Sequence, residues 1–218
     1  MDRQWQSDAY EWFKGKETCM MVTRNTAGGG AQTNANGLHF EDFTALHHLL
    51  PLISGGTYNI QNMQLFINGV LQNNFIYLPK GQFRHFLSQM HPERAARIVN
   101  GSIWSKELRP DQVMIIGNTI NILEAKTQNI AGSVDEKLQT CDFKKKQFER
   151  LLEPIYRVEY VYLLDDWFLD EKYRDVKAYI NASGCKYFFA RQSYDQLQFL
   201  NFINQQLQHN NNSLSMVF

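Results

Sequence analysis

The chain of 218 residues is 44% hydrophobic and 20% charged, with 13 Gly and 5 Pro. That composition excludes disordered, collagen-like and disulfide-scaffold chains and, with the length, predicts one globular domain over residues 1–218, which the order of its elements makes α/β. Formal charge is zero, with 22 basic and 22 acidic groups. Residues 79–150 nevertheless carry 12 basic against 8 acidic groups, a local excess compatible with a concave DNA-binding face even though total charge offers no support for one.

No run approaches the ~18 apolar residues of a membrane span, and residues 1–10 are polar without an apolar signal core. Cys19, Cys141 and Cys185 are far apart and form no C-x-x-C. Reduced thiols in a cytoplasmic protein are therefore expected, with no disulfide frame, zinc ribbon or membrane partner.

Residues 26–37 (TAGGGAQTNANG) read as a Gly/Asn/Thr loop, with Asn34 or Asn36 available to cap the next helix. That helix is predicted over residues 38–50, where Phe40, Phe43, Leu46, Leu49 and Leu50 share one 3.6-period face and Pro51 ends it. Residues 58–78 hold two or three strands, the hairpin Asn68-Gly69 among them. Residues 80–90 and 92–99 read as helices, the second opened by Pro92 and closed by Asn100-Gly101. A second hairpin, residues 112–116 and 119–125, turns at Gly117-Asn118.

A helix follows over residues 135–152, with Leu138, Phe143, Phe148, Leu151 and Leu152 on its apolar side and Pro154 beyond it. Residues 159–164 form a buried strand, 171–180 a helix, 186–190 a strand and 194–207 a terminal helix, ending in the polar stretch 205–213, which is expected to fray. A hairpin feeding helix-crossover strands implies a central mixed β-sheet flanked by helices.

Chemistry concentrates in residues 109–128, RPDQVMIIGNTINILEAKTQ. In a hairpin turning at Gly117-Asn118, residue i faces 235 minus i, so Asp111 lies opposite Glu124, and Lys126 shares the face of Glu124. Two carboxylates at one point suit a hard divalent cation such as Mg²⁺, with a lysine beside it to stabilise negative charge growing on an attacked phosphorus. A surface salt bridge is the competing explanation, but charges among strands as apolar as these are costly.

The pattern Pro110-Asp111, twelve residues, Glu124-Ala125-Lys126 resembles the PD-(D/E)XK nuclease motif, and its surroundings resemble a Type II restriction endonuclease. Those surroundings are Gln128 and residues 132–138 (GSVDEKL), within a helix, hairpin, helix, strand order. The similarity spans about residues 36–191, leaving 1–35 and 192–218 as peripheral additions. It implies a restriction-endonuclease-like core and Mg²⁺-dependent, sequence-specific hydrolysis of double-stranded DNA by a homodimer of a restriction-modification system. Another nuclease of the superfamily, for repair or junction resolution, is the alternative. It further implies Asp111, Glu124 and the Ala125 carbonyl as metal ligands, Lys126 as the catalytic lysine, and Glu41 as an added acidic ligand. Asp42 competes for that last role, and an N-terminal-turn position favoured by the helix dipole would equally explain Glu41.

Lys144-Lys145-Lys146 and Arg150 suit phosphate contact or, alternatively, form a solvated helix face. Lys137 and Gln128 complete the expected DNA-binding set. Asn and Gln total 36, and such amides can read adenine edges. Gly28-Gly29-Gly30 fits no P-loop, the pair His47-His48 lies in no H-E-x-x-H, and nothing calls for a nucleotide cofactor.

Overall fold

The computed structural model describes residues 31–99, 108–128 and 134–215. Helix α1 (Ala31–Phe43) includes residues 31–37, so the stretch expected as loop is helical from Ala31, and Asn34 and Asn36 lie within it rather than at a cap. The helix expected over residues 38–50 is two. Thr44 ends α1 by donating its hydroxyl to the Phe40 carbonyl at 2.8 Å, and Ala45 turns extended before α2 (Leu46–Ile53). Pro51 sits inside α2, which runs on to Ile53.

Four strands occupy the region expected to hold two or three: β1 (Tyr58–Gln61), β2 (Gln64–Ile67), β3 (Val70–Leu71) and β4 (Phe75–Leu78). Both two-residue turns of the small sheet carry left-handed backbone, at Asn62 and Met63 and at Asn68 and Gly69, which matches the twist of a hairpin. Helices α3 (Gln82–Met90) and α4 (Pro92–Val99) follow; Asn100-Gly101 lies outside the described residues.

The hairpin β5 (Gln112–Ile116) and β6 (Thr119–Lys126) has the expected register, Ile116 with Thr119 through Gln112 with Leu123. Its turn places Gly117 first at φ 56°. The expected helix over residues 135–152 is again two, α5 (Val134–Leu138) and α6 (Cys141–Leu152), and Phe143 is exposed rather than on the apolar side. Strand β7 (Arg157–Leu164), helix α7 (Arg174–Ala182), strand β8 (Lys186–Phe189) and helix α8 (Ser193–Ser215) complete the order.

Strands β4 to β8 form one mixed sheet in sequence order, antiparallel from β4 to β6 and parallel from β6 to β8. Alternation along the strands separates two cores. On one face Ile76, Val113, Ile120, Ile122, Tyr160 and Tyr162 pack under α3, α4, α6 and α7. On the other, Tyr77, Met114, Leu123 and Leu163 pack under α2, the small sheet and α8. The central strands are buried on both sides, which explains their near-continuous apolar runs. Helix α8 is part of this core rather than a peripheral addition, because Phe199, Phe202, Ile203 and Leu207 are buried and Gln206 exchanges amide hydrogen bonds with Asn121 at 2.8 and 2.9 Å. The polar stretch expected to fray belongs to the same helix.

Candidate functional site

Asp111 stands one residue before β5, where the antiparallel register continues to Glu124, and its Oδ2 accepts the Ala125 backbone N–H at 3.1 Å. Glu124 and Lys126 project from the same face of β6, the face covered by α6. The ammonium of Lys126 lies 2.8 Å from Glu124 Oε2, 3.0 Å from the Ala125 carbonyl and 3.6 Å from Asp111 Oδ2. One cation thus sits among the three oxygens that the sequence motif singles out. That is a test of fit for a divalent metal: the donors are all hard oxygens, they converge, and they already hold positive charge. Among the described residues no three His, Cys, Asp or Glu side chains enclose an ion by themselves, so the set depends on the carbonyl and on solvent or substrate oxygens.

The electrostatics follow from burial. Desolvation, then the Glu124 charge, pushes the Asp111 carboxyl up to about 6. Burial acts upward on Glu124 too, yet the ammoniums of Lys126 and Lys144 outweigh it and hold this carboxyl below its ordinary range. For Lys126, burial favours the neutral amine, but Glu124 and Asp111 prevail and keep it charged. Tyr160 and Tyr162, buried on β7, floor the site with apolar rings.

Glu41 of α1 borders the same groove as Asp111, near enough for its charge to act on Asp111 and Lys126. It lies in the last turn of that helix, not the first, so the macrodipole disfavours its charge rather than stabilising it. Lys80 compensates through a close ion pair with Glu41 Oε2. Asp42 instead turns to His48, 3.6 Å from its Nδ1. Glu41, Asp111, Lys80, His47 and Tyr77 border an open groove of about 230 Å³. Gln112 pins α1 and α2 beside it: its Oε1 accepts Leu46 N–H and Tyr77 O–H, each at 3.1 Å, and its Nε2 donates to the Thr44 carbonyl at 2.8 Å.

The remaining sequence-derived residues separate. Lys144 turns inward, 3.3 Å from Glu124 Oε2. Lys145 donates to the Gly184 carbonyl at 3.0 Å and pairs with Glu149, while Lys146 pairs with Asp142 at 2.7 Å. The triple lysine is therefore three different environments rather than one phosphate-binding stripe. Arg150 and Lys137 are exposed, and Gln128 is buried just beyond β6. Gly28-Gly29-Gly30 and residues 132–133 lie outside the described residues.

Sequence reasoning missed the cluster at the ends of the parallel strands. Asp165, past β7, accepts Thr127 Oγ1 at 3.1 Å and Arg191 Nη1 at 2.7 Å, and its N–H donates to the Lys126 carbonyl at 3.0 Å. The Arg191 guanidinium also covers the rings of Phe40 and Phe43, tying α1 to these strand ends. Parallel pairing of β6 with β7 was the available signal, since it brings the ends beyond Lys126 and Leu164 together. Among the described residues no helix is long and apolar enough to cross a membrane. In comparisons with protein families, curated proteins and solved structures, nothing matches this chain.

Proposed function

We propose that this chain is a Mg²⁺-dependent endonuclease that hydrolyses phosphodiester bonds of double-stranded DNA, of the Type II restriction class. The single observation carrying the reading is the convergence of Asp111, Glu124 and the Ala125 carbonyl on the Lys126 ammonium at the mouth of a buried hairpin. Asp111, Glu124 and the Ala125 carbonyl would hold Mg²⁺, with Glu41 as a further acidic group; the ion supplies Lewis-acid polarisation of the phosphate and a water of lowered pKa. Lys126 donates N–H to the negative charge that grows on the phosphoryl oxygens. The Ala125 N–H fixes the Asp111 carboxylate, and the rings beneath keep bulk water from weakening these interactions. Cutting both strands at a two-fold site requires two such centres, hence a homodimer, working on DNA in the cytoplasm.

Plasmid digestion tests this. Asp111→Asn and Glu124→Gln should abolish cleavage while duplex binding in Ca²⁺ persists, and Lys126→Ala should lose on the order of 100-fold or more in single-turnover rate. Wild-type cutting by either carboxylate variant would remove the reading. Discrete bands from a plasmid of known sequence assign the restriction class, whereas cutting only at junctions or damaged sites assigns a repair or resolving nuclease.

A further inference from the structure

Each of three carboxylates at the site is matched by an ammonium. Lys126 serves Asp111 and Glu124, Lys144 adds a second N–H to the same Glu124 Oε2, and Lys80 holds Glu41. The hairpin accounts for Lys126, but Lys144 comes from α6 and Lys80 from the turn after β4. Their exposure differs as well. The Lys126 side chain is 15% exposed and enclosed, whereas Lys144 at 33% and Lys80 at 59% have room to swing outward on four-carbon stems.

Resting on the metal-dependent reading above, we propose that Lys144 and Lys80 are displaceable counter-ions that couple cation binding to phosphate binding. In the DNA-free protein their ammoniums occupy lone pairs of Glu124 and Glu41 that a hard cation needs, so they compete with it. Once displaced, both carry their charge unspent, Lys80 on the groove beside Glu41 and Asp111 and Lys144 beside Glu124, and the site passes from charge balance to net positive. A phosphodiester then meets two freed ammoniums that were previously engaged. Reciprocity follows: whatever factor the cation adds to duplex affinity, the duplex adds to cation affinity.

Calorimetric titration of DNA-free protein with Mg²⁺ reads the first half. Lys144→Gln and Lys80→Gln, which keep a polar side chain one atom shorter and lose the charge, should each bind Mg²⁺ roughly three- to tenfold more tightly than the parent. Arg174→Gln removes the same charge from an exposed ion pair with Glu171 and should leave the affinity within about twofold. Fluorescence anisotropy with a labelled duplex, with and without Ca²⁺, reads the second half: the Ca²⁺-induced gain in affinity should shrink in Lys144→Gln and Lys80→Gln. Unchanged or weaker Mg²⁺ binding by both variants, or an undiminished Ca²⁺ gain, overturns the proposal. Asp111→Asn separates that failure from the larger one, because an Asp111→Asn protein that binds Mg²⁺ like the parent removes the metal site itself.

Discussion

Asp111 is held where its own ionisation is disfavoured. Burial and the neighbouring Glu124 raise its carboxyl from 3.8 to about 6, against the opposing pull of Lys126. A folded-state pKa above the unfolded one means that the folded chain keeps this proton more tightly. Its contribution to stability is therefore greatest below about pH 4, declines as pH rises towards about 6, and above that is a standing cost. Asp111→Asn should accordingly stabilise the metal-free protein at pH 7.5 by on the order of 1 kcal/mol, with the gain vanishing near pH 4. Urea unfolding at the two pH values checks it. A variant less stable at pH 7.5 would mean that the Lys126 ion pair outweighs burial. Strain of this kind is expected where a site is built for a ligand the free chain lacks, and mass action predicts that Mg²⁺ stabilises the parent and not the variant.

At the scale of elements, one buried glutamine joins the α1–α2 turn to the strand that follows Asp111. Gln112→Ala would orphan the Leu46 N–H and the Thr44 carbonyl, both buried, and should cost ~2–3 kcal/mol in urea unfolding; a loss under ~1 kcal/mol would mean that water replaces the amide. Gln112 also shows where reading from sequence stops. The hairpin β5–β6 was legible because its pairing is local: a Gly-first turn sets the register, and the register alone brings Asp111 opposite Glu124. Lys80 was not legible, although the β4–β5 register, Leu78 with Val113, extends to place it opposite Asp111, because two helices intervene before that pairing forms. Lys144 left a fainter signal. It falls three residues after Cys141 and four before Phe148, on the buried stripe of α6, which distinguishes it from Lys145 and Lys146. The start of α1 had no such signal, since its Gly, Asn and Thr content argues for loop.

Across the whole molecule, the sheet needs both helical layers, because β5, β6 and β7 expose apolar side chains on each face. Helix α8 carries no residue of the carboxylate site, yet Met114, Leu123 and Leu163 of the strands that position that site depend on its layer for cover. Four buried side chains, Phe199, Phe202, Ile203 and Leu207, are each worth ~1.5–3 kcal/mol, together comparable to the ~5–15 kcal/mol by which a whole domain is stable. Removal of α8 by a stop after Gln192 should therefore abolish cooperative unfolding rather than trim the molecule. Substitution within the helix gives the matched comparison: Tyr194→Ser and Leu197→Ser, at exposed positions, should shift stability by no more than ~0.5 kcal/mol, whereas Phe199→Ala should cost ~3–5 kcal/mol. Circular dichroism with urea reads all of these. A chain ending at Gln192 that still unfolds in one sharp transition would show that the sheet's second face is stable without its longest helix, and that the carboxylate site rests on a smaller core.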